Sequence, residues 1–303
     1  MTLQELRYAV AVARERHFGR AAAKCFVSQP SLSVAVKHLE EELGVTLFER
    51  TKSDVVITDL GRQVLAQAEQ ALTEVARVKQ LAAAGKDQLH GPLKLGVIHT
   101  IAPYLLPELV AALRARAPAM PLDIEENMTE NLDRMLREAQ IDVAILALPF
   151  VAPGIETLAV YDESFEVVIP AKHAWARRKQ INAAELIDEN LLLLSVGHCL
   201  RDQVLEACAR FTRPGDSGRQ GNSLETLRSM VASGLGITVM PATALTAHHR
   251  QPLVKAVPFA APIPRRRVAL AYRQGFYRPR AIALVAEVLR ALPLSIEVLP
   301  ISA

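Results

Sequence analysis

Along the first quarter of the chain apolar positions recur with the period of an α-helix, and beyond it they shorten into strand-length runs that alternate with helical stretches. Leu3, Leu6, Val10 and Ala13 form one stripe, and Thr2 with Glu5 has capping-box spacing, which predicts a first helix over about residues 3–15. Arg20 to Cys25 predicts a short Ala-rich second helix. Ser28 can cap a third that begins near Pro30, where proline is tolerated in the first turn, and Gly44 ends it. Leu32, Val36 and Leu39 face inward. That leaves Gln29, Ser31, Ser33 and Lys37 outward, short polar side chains of the kind that reach base edges and phosphates. Arg50, Thr51 and Lys52 then precede the alternating Val55-Val56-Ile57-Thr58, consistent with a basic wing that touches the phosphate backbone. A small helical subdomain used for protein contacts has the same pattern.

Residues 58–84 read as one long helix. Val64, Ala68, Ala71, Val75, Val78 and Ala82 recur at alternating spacings of four and three, flanked by Leu65 and Leu72, a heptad seam that predicts dimerisation. The helix is expected to have little of its own chain to cover. From Gly91-Pro92 onward the strand candidates are 93–98, 122–126, 141–146, 165–169, 191–194, 236–240 and 268–272, separated by helical stretches such as 104–117, 130–139, 223–233 and 279–291. This is α/β architecture, and nearly continuous apolar strands imply mostly parallel sheets with ligand sites at strand carboxyl ends. Thr100 follows the first strand, Thr129 the second, and His198 with Cys199 a later one. No internal repeat or phosphate-binding glycine loop is present; Gly234-Leu235-Gly236 reads as a helix-ending turn.

With 303 residues, half of them hydrophobic, the chain can bury a large core, and its net charge of +3 decides little about partners. No apolar run reaches membrane-spanning length, and the first residues lack a signal-peptide pattern, so a cytoplasmic protein is expected. The chemistry lies in the cysteines, of which there are 3. Cys25 falls in the second helix and reads as a core filler. Cys199 lies where a buried strand hands over to a helix N-terminus, beside His198 and Arg201, a setting that favours thiolate. Cys208 follows at a distance that, in a helix, puts the two Cα atoms about 13 Å apart on opposite faces, whereas a disulfide needs about 7 Å. A bridge would require the helix to unwind. The alternative is a pair of buried, inert thiols; no metal site is expected, because His198, Cys199 and Cys208 have no recognised zinc spacing.

The runs Ala21-Ala22-Ala23-Lys24-Cys25-Phe26-Val27-Ser28-Gln29-Pro30-Ser31-Leu32-Ser33 and Leu39-Glu40-Glu41-Glu42-Leu43-Gly44-Val45-Thr46-Leu47-Phe48-Glu49-Arg50 resemble the LysR-type transcriptional regulators, and the likeness continues over essentially the whole chain. Within that family Gly197-His198-Cys199-Leu200-Arg201-Asp202-Gln203, Ser223-Leu224-Glu225-Thr226-Leu227-Arg228 and Gly236-Ile237-Thr238 are similar to the OxyR-type hydrogen-peroxide sensors. The resemblance implies a winged helix-turn-helix over 1–58, a linker and dimerisation helix with hinge over 59–90, and a regulatory domain over 91–303. The last would comprise two Rossmann-like halves of the periplasmic-binding-protein kind, 91–163 with 268–303 and 164–267.

The resemblance further implies Cys199 as peroxidatic and Cys208 as resolving cysteine, Thr100, Thr129 and His198 lining the peroxide pocket, and Arg266 favouring the thiolate. DNA would be met by Gln29, Pro30, Ser31, Ser33, Lys37 and Arg50, two chains would pair through Val64, Ala68, Ala71, Val75 and Val78, and the assembly would be a dimer of dimers. Hydrogen peroxide, promoter DNA of dyad symmetry and RNA polymerase are the implied partners, with no cofactor. Arg210 and Arg213 depart from the acidic character expected after Cys208. The alternatives are a LysR-type regulator answering a small organic effector in the cleft between the halves, and a thiol peroxidase, against which the DNA-reading segment argues.

Overall fold

A computed structural model of the chain describes residues 1–50, 55–84, 87–208, 220–246, 249, 251–294 and 296–299, and describes the backbone alone at 50, 76–77, 79–84 and 207–208. It divides into two compact units, Met1–Lys86 and Asp87–Ala303.

In the first unit α1 (Leu3–Glu15) opens with the capping box: Thr2 Oγ1 accepts from the Glu5 amide at 3.2 Å and Glu5 Oε2 from the Thr2 amide at 2.7 Å. The second helix, α2 (Phe18–Lys24), starts earlier than its alanines suggest, because His17 Nδ1 accepts from the amides of Gly19 and Arg20 and acts as the cap. Cys25 is therefore the residue that ends α2, half-buried beside the core, not a helix-interior filler. Ser28 caps α3 (Gln29–Leu43), with Pro30 in its first turn, and Gly44 ends it at φ 68°. The hairpin β1 (Phe48–Arg50) and β2 (Val55–Ile57) follows. Leu6, Val12, Phe18, Leu32, Val36 and Leu39 close the core.

The long helix α4 (Asp59–Ala84) corrects one expectation: it packs on α1. Leu65 and Ala68 are 6% and 5% exposed there, and Val64, Ala71 and Leu72 lean on the same core, so this part of the heptad stripe is covered within the chain. Further along, Val75 is half-buried and Val78 is 64% exposed. A period of 3.5 cannot tell a partner's helix from the chain's own.

The second unit opens with β3 (Leu93–Ile98), α5 (Ala102–Arg116), β4 (Leu122–Asn127), α6 (Thr129–Arg137) and β5 (Val143–Leu148). The 16-residue β6 (Ile155–Pro170) comes next, then β7 (Leu193–Leu194), α7 (Cys199–Cys208), β8 (Gln220–Gly221) and α8 (Leu224–Ala232). After these come β9 (Thr238–Pro241), β10 (Val254–Pro258), β11 (Arg265–Arg273), α9 (Pro279–Ala291) and β12 (Glu297–Val298). Strand order is β10-β6-β11-β5-β3-β4, with β9 and β12 also on β6. Among the described strands only β3 with β4, β3 with β5 and β7 with β8 are parallel; the remaining pairs are antiparallel, which corrects the expectation of mostly parallel sheets.

The reason is β6. Its first part pairs with β11 and its last part with β9 and β10, so one strand serves both halves, and β11 returns alongside it. Each half keeps its own core, one around Leu95, Val97, Leu109, Ile145 and Val285, the other around Phe165, Val168, Leu192, Leu227 and Ile237. The expected strand over 191–194 shrinks to β7, with Leu191 in a lone bridge to Ile237. None of the described helices is long and apolar enough to cross a membrane.

Leu32 of α3 is fully buried in the core that α3 shares with α1 and α2. Leu32→Ala is expected to lower the unfolding free energy of the first unit by about 2–5 kcal/mol, read as a shifted urea midpoint of the full chain; an unchanged midpoint would remove Leu32 from the core.

Candidate functional site

Parallel pairing of β3 with β4 sets Ile98 beside Asn127, so the residues that follow each strand emerge side by side. These are His99 and Thr100 from β3, and Met128 with Thr129, the first residue of α6, from β4. Opposite them the loop from β7 reaches α7, whose first residue is Cys199. Gly197 turns that loop at φ 102°, a backbone that L side chains rarely adopt, and a Cβ there would stand 3.0 Å from Met128 Sδ. Arg201 Nη1 donates to the Leu194 carbonyl at 2.7 Å and ties the loop to its own strand. Leu200 and Val204 anchor α7 in the second core while Cys199 leans on the first, so the thiol sits where the two halves meet.

His99, Thr100, Thr129, His198 and Cys199, together with Ile98, Asn127, Met128 and Gly197, enclose a cavity of about 10 Å³. A single water needs about 10–15 Å³ on that measure, so the space suits a guest of water's size class and has no room for an organic effector. Thr129 Oγ1 is buried with no hydrogen-bond partner among the described residues. An unsatisfied buried hydroxyl costs about 1–3 kcal/mol, which a small polar guest would recover. Burial, and secondarily the neighbouring His99, hold the His198 imidazole below its ordinary pKa, so this ring is neutral at pH 7.

Behind Thr100 stands a charge pair with no exposed side-chain surface. Arg266 of β11 donates from Nε to Glu163 Oε2 of β6 at 2.8 Å, from Nη1 to Thr100 Oγ1 at 2.9 Å and from Nη2 to the Thr100 carbonyl at 3.1 Å. Glu163 Oε1 accepts in turn from the amide of Thr243 at 2.9 Å and from its hydroxyl. Burial works against the guanidinium charge, but Glu163, with smaller help from Tyr161 and Cys199, outweighs it and raises the Arg266 pKa. A permanent cation thus lies within electrostatic reach of the sulfur.

The fold therefore brings Thr100, Thr129, His198, Cys199 and Arg266 together from chain positions up to 166 residues apart. Cys208 is the last residue of α7, at the far end of the helix from Cys199, and its side chain lies outside the described residues, as do Arg210 and Arg213. Glu163, Thr243 and His99 were not singled out from sequence. A second, open groove of about 720 Å³ passes Pro149, Phe150, Gln203, Arg265 and Arg267 without including the cysteine.

Residues 3–62 match the model of bacterial regulatory helix-turn-helix proteins of the lysR family, and residues 86–293 match the LysR substrate binding domain. The chain belongs to the LysR-type transcriptional regulators, in their OxyR branch. It is 39% identical to the DNA-binding transcriptional dual regulator OxyR of Escherichia coli over 96% of this chain and 95% of that one. Full-length OxyR from Pseudomonas aeruginosa, carrying a cysteine-to-aspartate substitution, superposes with a TM-score of 0.79 at 50% identity, covering 97% of this chain and 96% of that one. A cysteine-to-serine variant of Corynebacterium glutamicum OxyR with H2O2 bound gives 0.66 at 36% identity, covering 95% and 91%.

On the helix-turn-helix of this LysR-type regulator, Gln29, Pro30, Ser31 and Lys37 are exposed along α3 and Ser33 is half-buried. The Ser31 hydroxyl lies 2.8 Å from that of the capping Ser28, and Lys37 pairs with Glu41 at 3.4 Å. Arg50 ends β1, and its side chain is outside the described residues.

Arg266→Ala strands the Glu163 carboxylate in the interior and is expected to cost about 3–5 kcal/mol of regulatory-domain stability. Arg266→Met combined with Glu163→Gln, which removes both charges, should recover part of it. Equal melting temperatures for Arg266→Ala and wild type would show that the pair is not under this constraint.

Proposed function

We propose that this OxyR-type regulator senses hydrogen peroxide through Cys199 and converts its oxidation into a change of promoter binding. Cys199 is the peroxidatic cysteine, Cys208 the resolving one, and Thr100, Thr129, His198 and Arg266 form the peroxide site. The observation that carries this reading is the unpartnered Thr129 hydroxyl in a water-sized cavity bounded by Cys199 and His198. A small guest with both donors and acceptors answers that environment.

The electron bookkeeping is direct. The thiolate attacks one peroxide oxygen, an S–O bond forms as the O–O bond breaks, and hydroxide leaves to be protonated to water. The sulfenic acid then condenses with Cys208, releasing a second water and forming a disulfide. Ten residues of helix hold the two cysteines at opposite ends of α7, a Cα separation of about 13 Å. Closing the bond therefore requires α7 to unwind, and the covalent link stabilises a fold that the reduced chain rarely populates.

Residues 1–58 read DNA, 59–90 form linker and hinge, and 91–303 form the regulatory domain, with halves 91–163 plus 268–303 and 164–267. Gln29, Pro30, Ser31, Ser33, Lys37 and Arg50 meet promoter DNA of dyad symmetry in the cytoplasm. Chains pair through the distal α4 stripe of Val75 and Val78, since Val64, Ala68 and Ala71 are covered within the chain, and assemble as a dimer of dimers that acts on RNA polymerase. The exposure of Val78 and part of Val75 supports the distal stripe as the contact between chains.

One equivalent of peroxide followed by mass spectrometry should give a Cys199–Cys208 bridge and a changed DNase footprint. Cys199→Ser should abolish both, whereas Cys208→Ser should stop at the sulfenic acid. Full peroxide response in Cys199→Ser would overturn the assignment. Separately, Lys37→Ala should weaken binding to specific and random DNA alike and reduce the salt slope by about one unit; an unchanged slope would remove Lys37 from the phosphate contacts.

A further inference from the structure

One group at the cavity has no task in the chemistry above. His99 lines the same space as Cys199, and its ring faces that of His198 with centroids 5.9 Å apart and 58° between the planes. Its Nδ1 pairs with Glu126 Oε1 of β4 at 2.9 Å, and the two side chains stay 35% and 41% open to solvent. His198 is 6% exposed. The pair thus runs from solvent to the half-buried Cys199, with one imidazole at each end.

Peroxide reduction makes a demand that the buried residues cannot meet alone. As sulfur gives two electrons to the peroxide, the departing oxygen leaves as hydroxide and must gain a proton to become water. Arg266 does not give up a proton at any ordinary pH, and its donors are directed to Glu163 and Thr100. Threonine hydroxyls supply hydrogen bonds but no net proton. His198, held neutral, releases a proton from one ring nitrogen only as the other nitrogen receives one.

We propose that His99 is the positioning residue that refills His198: anchored by Glu126 at the solvent edge, it takes protons from bulk water and passes them to His198 as hydroxide leaves. With ring centroids 5.9 Å apart, one water can bridge the two imidazoles. Among the described residues, the charged and titratable groups around the pair are Glu126 on β4, Cys199 at the head of α7, and Arg266 of β11 with Glu163 of β6 behind Thr100. Glu126 touches His99 itself; Arg266 and Glu163 pair with each other. This role rests on the peroxide chemistry proposed for Cys199.

The test uses the full chain with Cys208→Ser, so that oxidation stops at the sulfenic acid. Two rates are measured at Cys199 from about pH 5.5 to 8, one with hydrogen peroxide and one with iodoacetamide, whose iodide leaves without needing a proton. Both require thiolate, so their ratio isolates proton supply. The ratio should fall as pH rises across that range. His99→Gln should lower it at least about tenfold and flatten its pH dependence while alkylation stays unchanged, and Glu126→Gln should lower it less. An unaltered ratio and profile in His99→Gln, or alkylation falling in parallel, would overturn the role of His99. Absence of any peroxide reaction at Cys199 in the parent protein would instead overturn the sensing assignment itself.

Discussion

The Arg266–Glu163 pair is the constraint around which the regulatory domain is arranged. A fully buried cation and anion lose most of their hydration, and that loss is offset only when every donor and acceptor is directed to a partner. Here β6, the strand that serves both halves, and β11 beside it deliver one charge each, Arg266 opposite Glu163. Thr100 follows β3 of one half, and Thr243 follows β9 of the other. A single buried network therefore fixes how the carboxyl end of β3 stands relative to the second half, and so where the cavity can form.

A second link spans the same boundary nearer the surface. Tyr104 of α5 donates to Glu225 Oε1 of α8 at 2.9 Å, and Arg228 holds Glu225 while donating to the carbonyls of Ala244 and His249. Burial, and then the Glu225 charge, raise the Tyr104 pKa, so the phenol stays a donor. Across the same boundary α7 is tied to the second core by Leu200 and Val204 and to the first by Cys199. A thiol on that boundary is well placed to report chemistry as a change in how α7 packs.

The N-terminal unit was largely legible because its signals are local. Thr2, Glu5, Ser28, Pro30 and Gly44 act within four residues of themselves, and each cap sits where its spacing puts it. The cap of α2 is not legible, because imidazole is an unusual choice for that position, although the His17 ring nitrogen accepts as a hydroxyl would. The heptad stripe on α4 was visible, yet its period says nothing about which surface covers it, and α1 covers the proximal part. Likewise the apolar pattern marks β6 only from Phe165, since its earlier residues, Glu156, Asp162 and Glu163 among them, interrupt it.

By itself the sequence determined the kinds of element, the handover from strand to helix at Cys199, and the family to which the motifs point, because these depend on neighbours within a turn or a strand. It also placed Thr100 and Thr129 directly after strands, which parallel pairing then set side by side. Tertiary structure alone decided that Glu163 neutralises Arg266 across 103 residues, that His99 faces His198 across nearly as many, and that the Thr129 hydroxyl has no partner among the described residues. The physical reason is that burial and pairing of polar groups are set by packing between distant segments, and no local pattern records which charge or hydroxyl another segment will meet.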